Sequence, residues 1–229
     1  MKNLLKKEWL LLLALAAPFA FLASVWPQIP DRVPIHFNAS FTPDGWMHKT
    51  AGVLLMPIAN VVVVIFTLTW FRFDPKMAKY SAETREQVAR VLRQCLIAAA
   101  LLFSGMSVAI VWAAWGRLEP IQQVMIYGLP VLLMVLGNGM GKLRPNHTIG
   151  IRLPWTLEST AVWNRTHRLG GLLLVCAGAT LLGLAVLGLD KAMFVFALLG
   201  VLGIWAAVVV AYAFSQSRNS AASHNSPAQ

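Results

Sequence analysis

Residues 192–214 read AMFVFALLGVLGIWAAVVVAYAF, a run of 23 positions without a single charge. About 20 mostly apolar residues carry a helix across the hydrocarbon layer of a bilayer, so this stretch decides the class of the molecule. Working back along the chain, the same pattern recurs near Trp9–Trp26, Ala51–Phe71, Gln94–Trp115, Gln122–Met140 and Leu169–Leu189. The chain has 229 residues, 58% hydrophobic and 12% charged, against about 25% charged in soluble domains. Together these predict an all-α polytopic membrane bundle of six transmembrane helices. The first window follows Lys6 and Lys7, as a signal peptide would. Its length and the lack of a small-x-small cleavage site before Ser24 favour a retained span. Cys95 and Cys176 fall in or beside spans and read as small packing residues.

The cations set an expected orientation. With both termini cytoplasmic, fifteen of the 19 Lys and Arg residues lie inside, and only Arg32, Lys49, Arg117 and Lys191 lie outside. This is the positive-inside asymmetry. Five acids fall inside and four outside, so the whole formal charge of +10 faces the cytoplasm, where anionic headgroups attract it. The pI near 10.2 is thereby a membrane signature and no ground for direct nucleic-acid binding. The chain divides into residues 1–26 (cytoplasmic N-terminus and first span), 27–50 (an extracytoplasmic segment) and 51–140 (spans two to four, with a cytoplasmic loop at 72–93). Then follow 141–168 (a cytoplasmic motif segment), 169–214 (spans five and six) and 215–229, a small polar tail expected to be disordered.

The outer segment holds Pro27, Pro30, Pro34 and Pro43, with a turn signal at Asp44-Gly45 and a short extended piece over Val33–Asn38. Ile35, Phe37, Phe41, Trp46 and Met47 are too many large apolar residues for a plain linker, and predict a small ordered cap. In the loop at 72–93, Asp74-Pro75 begins a turn and Ser81 is a plausible N-cap. The helix that follows, with Glu86 and Arg90 four apart, runs into the third span. Asn60, at mid-depth of the second span, reads as an interhelical hydrogen-bonding residue. Gly105, Ala109 and Ala113, and Ala179 with Gly183, read as close-packing positions. Pro57 and Pro130 are candidate kinks.

Residues 137–171, GNGMGKLRPNHTIGIRLPWTLESTAVWNRTHRLGG, are far denser in chemistry than a connector needs. They carry Lys142, Arg144, Arg152, Arg165 and Arg168 against a single acid, Glu158. The residues around Pro145 cannot be regular helix, Gly150 permits a turn, and Thr156 is a fair N-cap for a helix from Leu157 to Arg168. On that helix Trp163 and His167 are one turn apart, as are Asn164 and Arg168, forming a lip at the inner membrane surface. Arg forks suit phosphate or carboxylate, so an anionic headgroup or an acidic peptide is a sensible ligand. The same Arg and Asn side chains could instead satisfy the loop's own backbone.

No catalytic set stands out. There is no His-Glu-x-x-His, and no acid lies within a predicted span, which argues against ion-coupled transport and intramembrane metalloprotease chemistry. His36 and His48 share their segment with Asp31 and Asp44, but their spacing fits no standard metal pattern, and His36 is expected to hydrogen-bond within the cap. No cofactor is implied.

Gly137-Asn138-x-Met140, Arg144-Pro-Asn146, Gly150-Ile-Arg152-x-Pro154-Trp155-Thr156-Leu157 and Trp163-x-x-Thr166-His167-Arg168 together resemble the SdpI-type immunity protein family. Ile29-Pro30, Val33-Pro34-Ile-His36-Phe-Asn38, Asp44-Gly45 and Lys49 are similar to a small domain of unknown function at the front of many members. Two positions depart from the pattern: the family usually has Gly near Phe41, and Thr is common at Leu153. The resemblance implies a multi-pass protein of the bacterial plasma membrane that is not an enzyme. It would protect its host from a membrane-active peptide toxin and signal by holding a transcriptional repressor at the membrane. Membrane lipids, a peptide toxin outside and a cytoplasmic repressor are the implied partners. The candidate cytoplasmic site comprises Asn138, Arg144, Asn146, Arg152, Pro154, Trp155, Trp163, Thr166, His167 and Arg168. The candidate extracytoplasmic recognition site comprises Pro34, His36, Asn38, Asp44, Gly45 and Lys49. From the residues alone, a protein handling anionic lipids or small molecules stays open, with Arg144, Asn146, Arg152 and His167 gripping a headgroup.

Overall fold

In the computed structural model, which describes the backbone of residues 2–224 and the side chains of 8–219, six helical stretches are long and apolar enough to cross a membrane. Helix α1 (Lys2–Val25) ends in a 3-10 turn at Trp26–Gln28 and is followed by strands β1 (Arg32–Phe37) and β2 (Pro43–His48). Helices α2 (Lys49–Arg72) and α3 (Ala82–Ala114) come next. The fourth span is built from α4 (Glu119–Gln123), a π turn (Val124–Gly128) and α5 (Leu129–Met140). A short α6 (Pro154–Glu158) precedes α7 (Thr160–Val186) and α8 (Lys191–His224). The expected six-span helical bundle is therefore present, with a β-hairpin added at one end.

Burial follows a membrane logic. Val62, Val63, Ile65 and Phe66 on α2, and Phe196 and Ile204 on α8, are exposed. Helices whose outward faces are this apolar are suited to hydrocarbon rather than water. Between the helices, Asn60 is buried and donates to the Ala100 carbonyl (3.2 Å) and to Ser104 Oγ (3.5 Å), while Ser104 donates to the Ala14 carbonyl at 2.5 Å. Asn60 thus ties α2 to α3, as expected, and Ser104 ties α3 to α1. Ser81 caps α3 by accepting from Thr84 N at 3.2 Å, and the charged helix and third span are one continuous element. Pro130 has no N–H to give the carbonyl four residues back, and the π turn just before it absorbs that mismatch.

Ala109 and Ala113 are buried, as expected of packing positions, but the expected glycines are not where backbones approach most closely. A Cβ on Gly183 would meet nothing within 4 Å, and one on Gly105 only ordinary contacts. The close approach is between α5 and α7, where a Cβ on Gly137 would lie 2.6 Å from the Gly171 carbonyl oxygen, and one on Gly178 would lie 2.6 Å from that of Pro130. Backbone oxygens cannot swing aside as side chains do. Gly137→Ala is therefore expected to destabilise the bundle by about 1–3 kcal/mol, read as a lower unfolding temperature in detergent, with Gly183→Ala unchanged.

Two further expectations are corrected. The hairpin turn is not at Asp44-Gly45 but at Asn38–Thr42, where Asn38 Oδ1 accepts from Ser40 N and Thr42 N (3.0 Å each) and Phe41 adopts φ 58°. Gly45 lies in β2 opposite His36, beside an irregularity in the pairing, where a Cβ would come 2.8 Å from His36 Cβ. The helix expected to end at Phe214 continues to His224, so the first part of the tail is helical rather than disordered. Arg165 on α7 donates to Gln216 Oε1 at 2.8 Å, holding the extension against its neighbour. Residues 225–229 lie outside the described residues.

Candidate functional site

The motif segment joins α5 to α7 and folds over the bundle end where α2 and α3 meet. It is irregular because Pro145 and Pro154 exclude helix, so its backbone groups must find partners elsewhere. Asn146, fully buried, supplies three. Its Nδ2 donates to the Arg144 carbonyl (2.8 Å), and its Oδ1 accepts from Thr148 N (2.8 Å) and Ile149 N (2.7 Å). Thr156, also buried, accepts from Leu153 N and donates within the Ile151–Leu153 turn. Thr156 is thus inside α6, and the cap of α7 is Ser159, which accepts from Val162 N. The expected single helix over 157–168 is broken at this residue.

Trp163 and His167 stack with ring centroids 3.9 Å apart and are fully buried. Trp163 Nε1 donates to the Leu143 carbonyl at 3.0 Å. Nδ1 of His167 faces the Trp163 carbonyl (2.9 Å), and Nε2 accepts from Ile151 N (2.8 Å). A carbonyl on one nitrogen and an amide N–H on the other fix the neutral tautomer protonated at Nδ1. Gly150, at φ +123°, lies against this stack. These side chains are the inside of the cap rather than its lip. The outer face carries exposed Lys142, Arg144, Arg152 and Arg168, with Asn138 exposed on α5 and Pro154 exposed at the start of α6. Arg152 donates to the His147 carbonyl at 2.5 Å. Trp155 packs edge-on to Phe214 of α8 at 5.6 Å. Thr166 is fully buried and its Oγ1 has no hydrogen-bond partner among the described residues.

Sequence reasoning missed the anchor of this cap. Asp74, 2% exposed, accepts from His147 N (2.6 Å) and Thr148 Oγ1 (2.9 Å) through Oδ2, and from Lys76 N (2.9 Å) through Oδ1. Trp70 donates to the His147 carbonyl at 3.4 Å, Lys76 Nζ to the Leu157 carbonyl, and Tyr80 to the Pro145 carbonyl at 3.3 Å. Burial, opposed by the Arg144 charge and reinforced by Asp74, raises the Tyr80 pKa above its usual value, so the phenol keeps the proton it donates. The end of α2 and the loop after it therefore grip the motif segment, from Trp70 to Tyr80. An acid beside a proline in a basic loop was the only local clue. Asp74→Asn turns an amide N–H₂ or a weaker acceptor toward these donors. It is expected to destabilise the cap by about 2–3 kcal/mol, seen as faster hydrogen exchange at Thr148 and Ile149.

At the other end, β1 and β2 pair antiparallel, with Arg32 opposite His48 and Pro34 opposite Trp46. Val33 is fully buried against α2, where a Cβ on Gly52 would lie 2.3 Å from its Cγ2. His36 Nδ1 lies 2.5 Å from Asp44 Oδ1, the expected contact within the cap. His36, Asp44 and Gly45 come together. Asn38 forms the tip, and Pro34 is buried in β1. Lys49 stands at the base, over the Trp26 ring at 5.5 Å and 3.9 Å from Asp31. Among the described residues, no group of three or more His, Cys, Asp or Glu side chains is placed to hold a metal.

With this geometry in hand, similarity to known proteins can be placed on it. Residues 142–213 match the SdpI/YfhL protein family, which covers the motif cap, α7 and most of α8. Residues 13–61 match a domain of unknown function, DUF1648, which covers the hairpin with the flanking halves of α1 and α2. The chain is 24% identical over 161 residues to Immunity protein SdpI of Bacillus subtilis (strain 168), covering 69% of this chain and 72% of that protein. No solved structure matches. This is a multi-pass bacterial membrane protein with six apolar helices, related to SdpI. The resemblance carried by residues 29–49 and 137–168 is borne out by these two matches, to DUF1648 over residues 13–61 and to the SdpI/YfhL family over residues 142–213.

Proposed function

We propose that this chain is an immunity protein that protects a bacterial membrane against a membrane-active peptide toxin, with the hairpin facing outward as the recognition end and the motif cap facing the cytoplasm as the output end. The relationship to Immunity protein SdpI supports the class. The cation asymmetry supports the orientation. The observation that carries the mechanism is α2. It begins directly after β2, at Lys49, and ends at Arg72, two residues before the carboxylate that holds His147 and Thr148. One continuous helix therefore joins the hairpin to the motif cap, and a displacement at one end has a physical path to the other. The exposed Arg144, Arg152 and Arg168 then form a cationic face for an acidic surface on a cytoplasmic repressor. The chain acts in this reading by binding, without catalysis.

The test is survival. A sensitive bacterial host expressing the chain is challenged with a panel of membrane-active peptides. Survival above the empty host is expected for at least one peptide, and equal survival across the panel contradicts the reading. A second reading, anionic-lipid binding, is favoured by the exposure of Lys142, Arg144 and Arg168. Native mass spectrometry then shows retained anionic lipid that Arg144→Ala releases.

A further inference from the structure

The hairpin does not close flat onto the helix ends. Beneath it is a cavity of about 260 Å³. His36, Asn38 and Phe41 line it from the hairpin, and Met56 of α2, Met106 of α3 and Met125 of the π turn line it from three different spans. The size lies between the roughly 150 Å³ void that takes up benzene and the roughly 300–1,000 Å³ pockets of drug-sized ligands. One large side chain fits it. Unbranched methionines let such a floor adapt to more than one shape.

The wall supplies a second, independent observation. Phe41 is the only non-glycine among the described residues with positive φ, at 58°. A bulky side chain in that region is an outlier, and such strain is kept where something else requires it. Here Phe41 is 4% exposed and forms part of the cavity wall. Glycine would make the turn easily but leave the wall open. At the hairpin side, Asp44 occupies His36 Nδ1 and leaves Nε2, while Asn38 commits Oδ1 to the turn and leaves Nδ2. Those groups match the C=O and N–H of a peptide backbone better than a hydrocarbon tail.

We propose that this cavity receives one large apolar side chain of an extracellular peptide, whose backbone lies across His36 and Asn38, and that Phe41 sets the size limit. The occupant rests on the protective reading above; the cavity does not.

The test uses the full chain in lipid nanodiscs and fluorine NMR of N-acetyl-5-fluorotryptophanamide, a single side chain with peptide groups on both sides. Saturable binding is expected, with Kd on the order of 0.1–1 mM. Met106→Trp and Met125→Trp, on different helices, fill the floor and each weaken binding at least tenfold. Phe41→Gly relaxes the turn and opens the wall, so N-acetyl-2-naphthylalaninamide should bind this variant at least tenfold better than it binds the parent. The proposal is overturned by an absence of saturable binding, or by unchanged binding in both tryptophan variants when they elute as folded protein. It is equally overturned if dihexanoylphosphatidylcholine displaces the probe at lower concentration than N-acetylleucinamide, which would make the cavity a lipid site. A chain that binds the probe but gives no survival advantage keeps the cavity and loses the protective reading. A chain that protects but binds no probe does the reverse.

Discussion

Asn146→Ala should destabilise the motif cap by about 3–5 kcal/mol. The side chain is fully buried and makes three hydrogen bonds to main-chain groups of its own segment. Truncation leaves two N–H groups and one carbonyl, all part-buried, without the amide that pairs them, and each such loss costs about 1–3 kcal/mol. That is a large share of the roughly 5–15 kcal/mol by which a folded protein exceeds its unfolded state. Asn138 is the natural control. It belongs to the same motif and is also an asparagine, yet it is exposed on α5. Asn138→Ala should change stability by less than about 0.5 kcal/mol. Thermal unfolding in detergent separates the two, and accumulation in the membrane must be measured alongside any loss of protection. Similar unfolding temperatures for the two variants would show that the amide network is not what holds the cap.

Gly150→Ala is expected to have an effect of the same order for a different reason. A Cβ there would lie 2.5 Å from His167 Nε2 and 3.1 Å from the Trp163 ring, on a backbone at φ +123°. The methyl group collides with the nitrogen that accepts the Ile151 N–H and pushes it out of place. Backbone strain of about 1–3 kcal/mol adds to a buried hydrogen bond of about 1–3 kcal/mol. Gly188 offers the comparison, at φ +81° with nothing within 4 Å. Gly188→Ala carries the strain alone, about 1–2 kcal/mol. The difference between the two variants isolates the collision with the stacked pair, and Trp fluorescence of the Gly150 variant should report disturbance at Trp163.

The spans were legible because hydrocarbon imposes a length and a composition that few other environments do. Ser81 as a cap was legible because a helix start needs a local acceptor, and Asn60 as an interhelical donor because an amide at mid-depth of an apolar span must find a partner on another helix. The hairpin turn was misread because Asp44-Gly45 is the stronger local signal. Burial of Val33 and Phe41 sets the register instead, and puts Phe41 where glycine is easier. The pairing of Trp163 with His167 followed from helical spacing, but spacing cannot say whether a face is covered, and here α3 and the motif loop cover it. Asp74 was invisible as an anchor because its partners are 73 and 74 residues away. The helix beyond Phe214 was hidden because its support, Arg165 to Gln216, also spans 51 positions.

The central claim is that the hairpin and the motif cap face opposite sides of the membrane, joined by α2. Single cysteines placed at exposed Ser40 and exposed Glu158, in a chain with Cys95 and Cys176 replaced, test it directly in intact cells with a membrane-impermeant maleimide. The account predicts labelling at position 40 in intact cells and at position 158 only after the membrane is opened. Labelling at position 158 in intact cells, with position 40 protected, would contradict it.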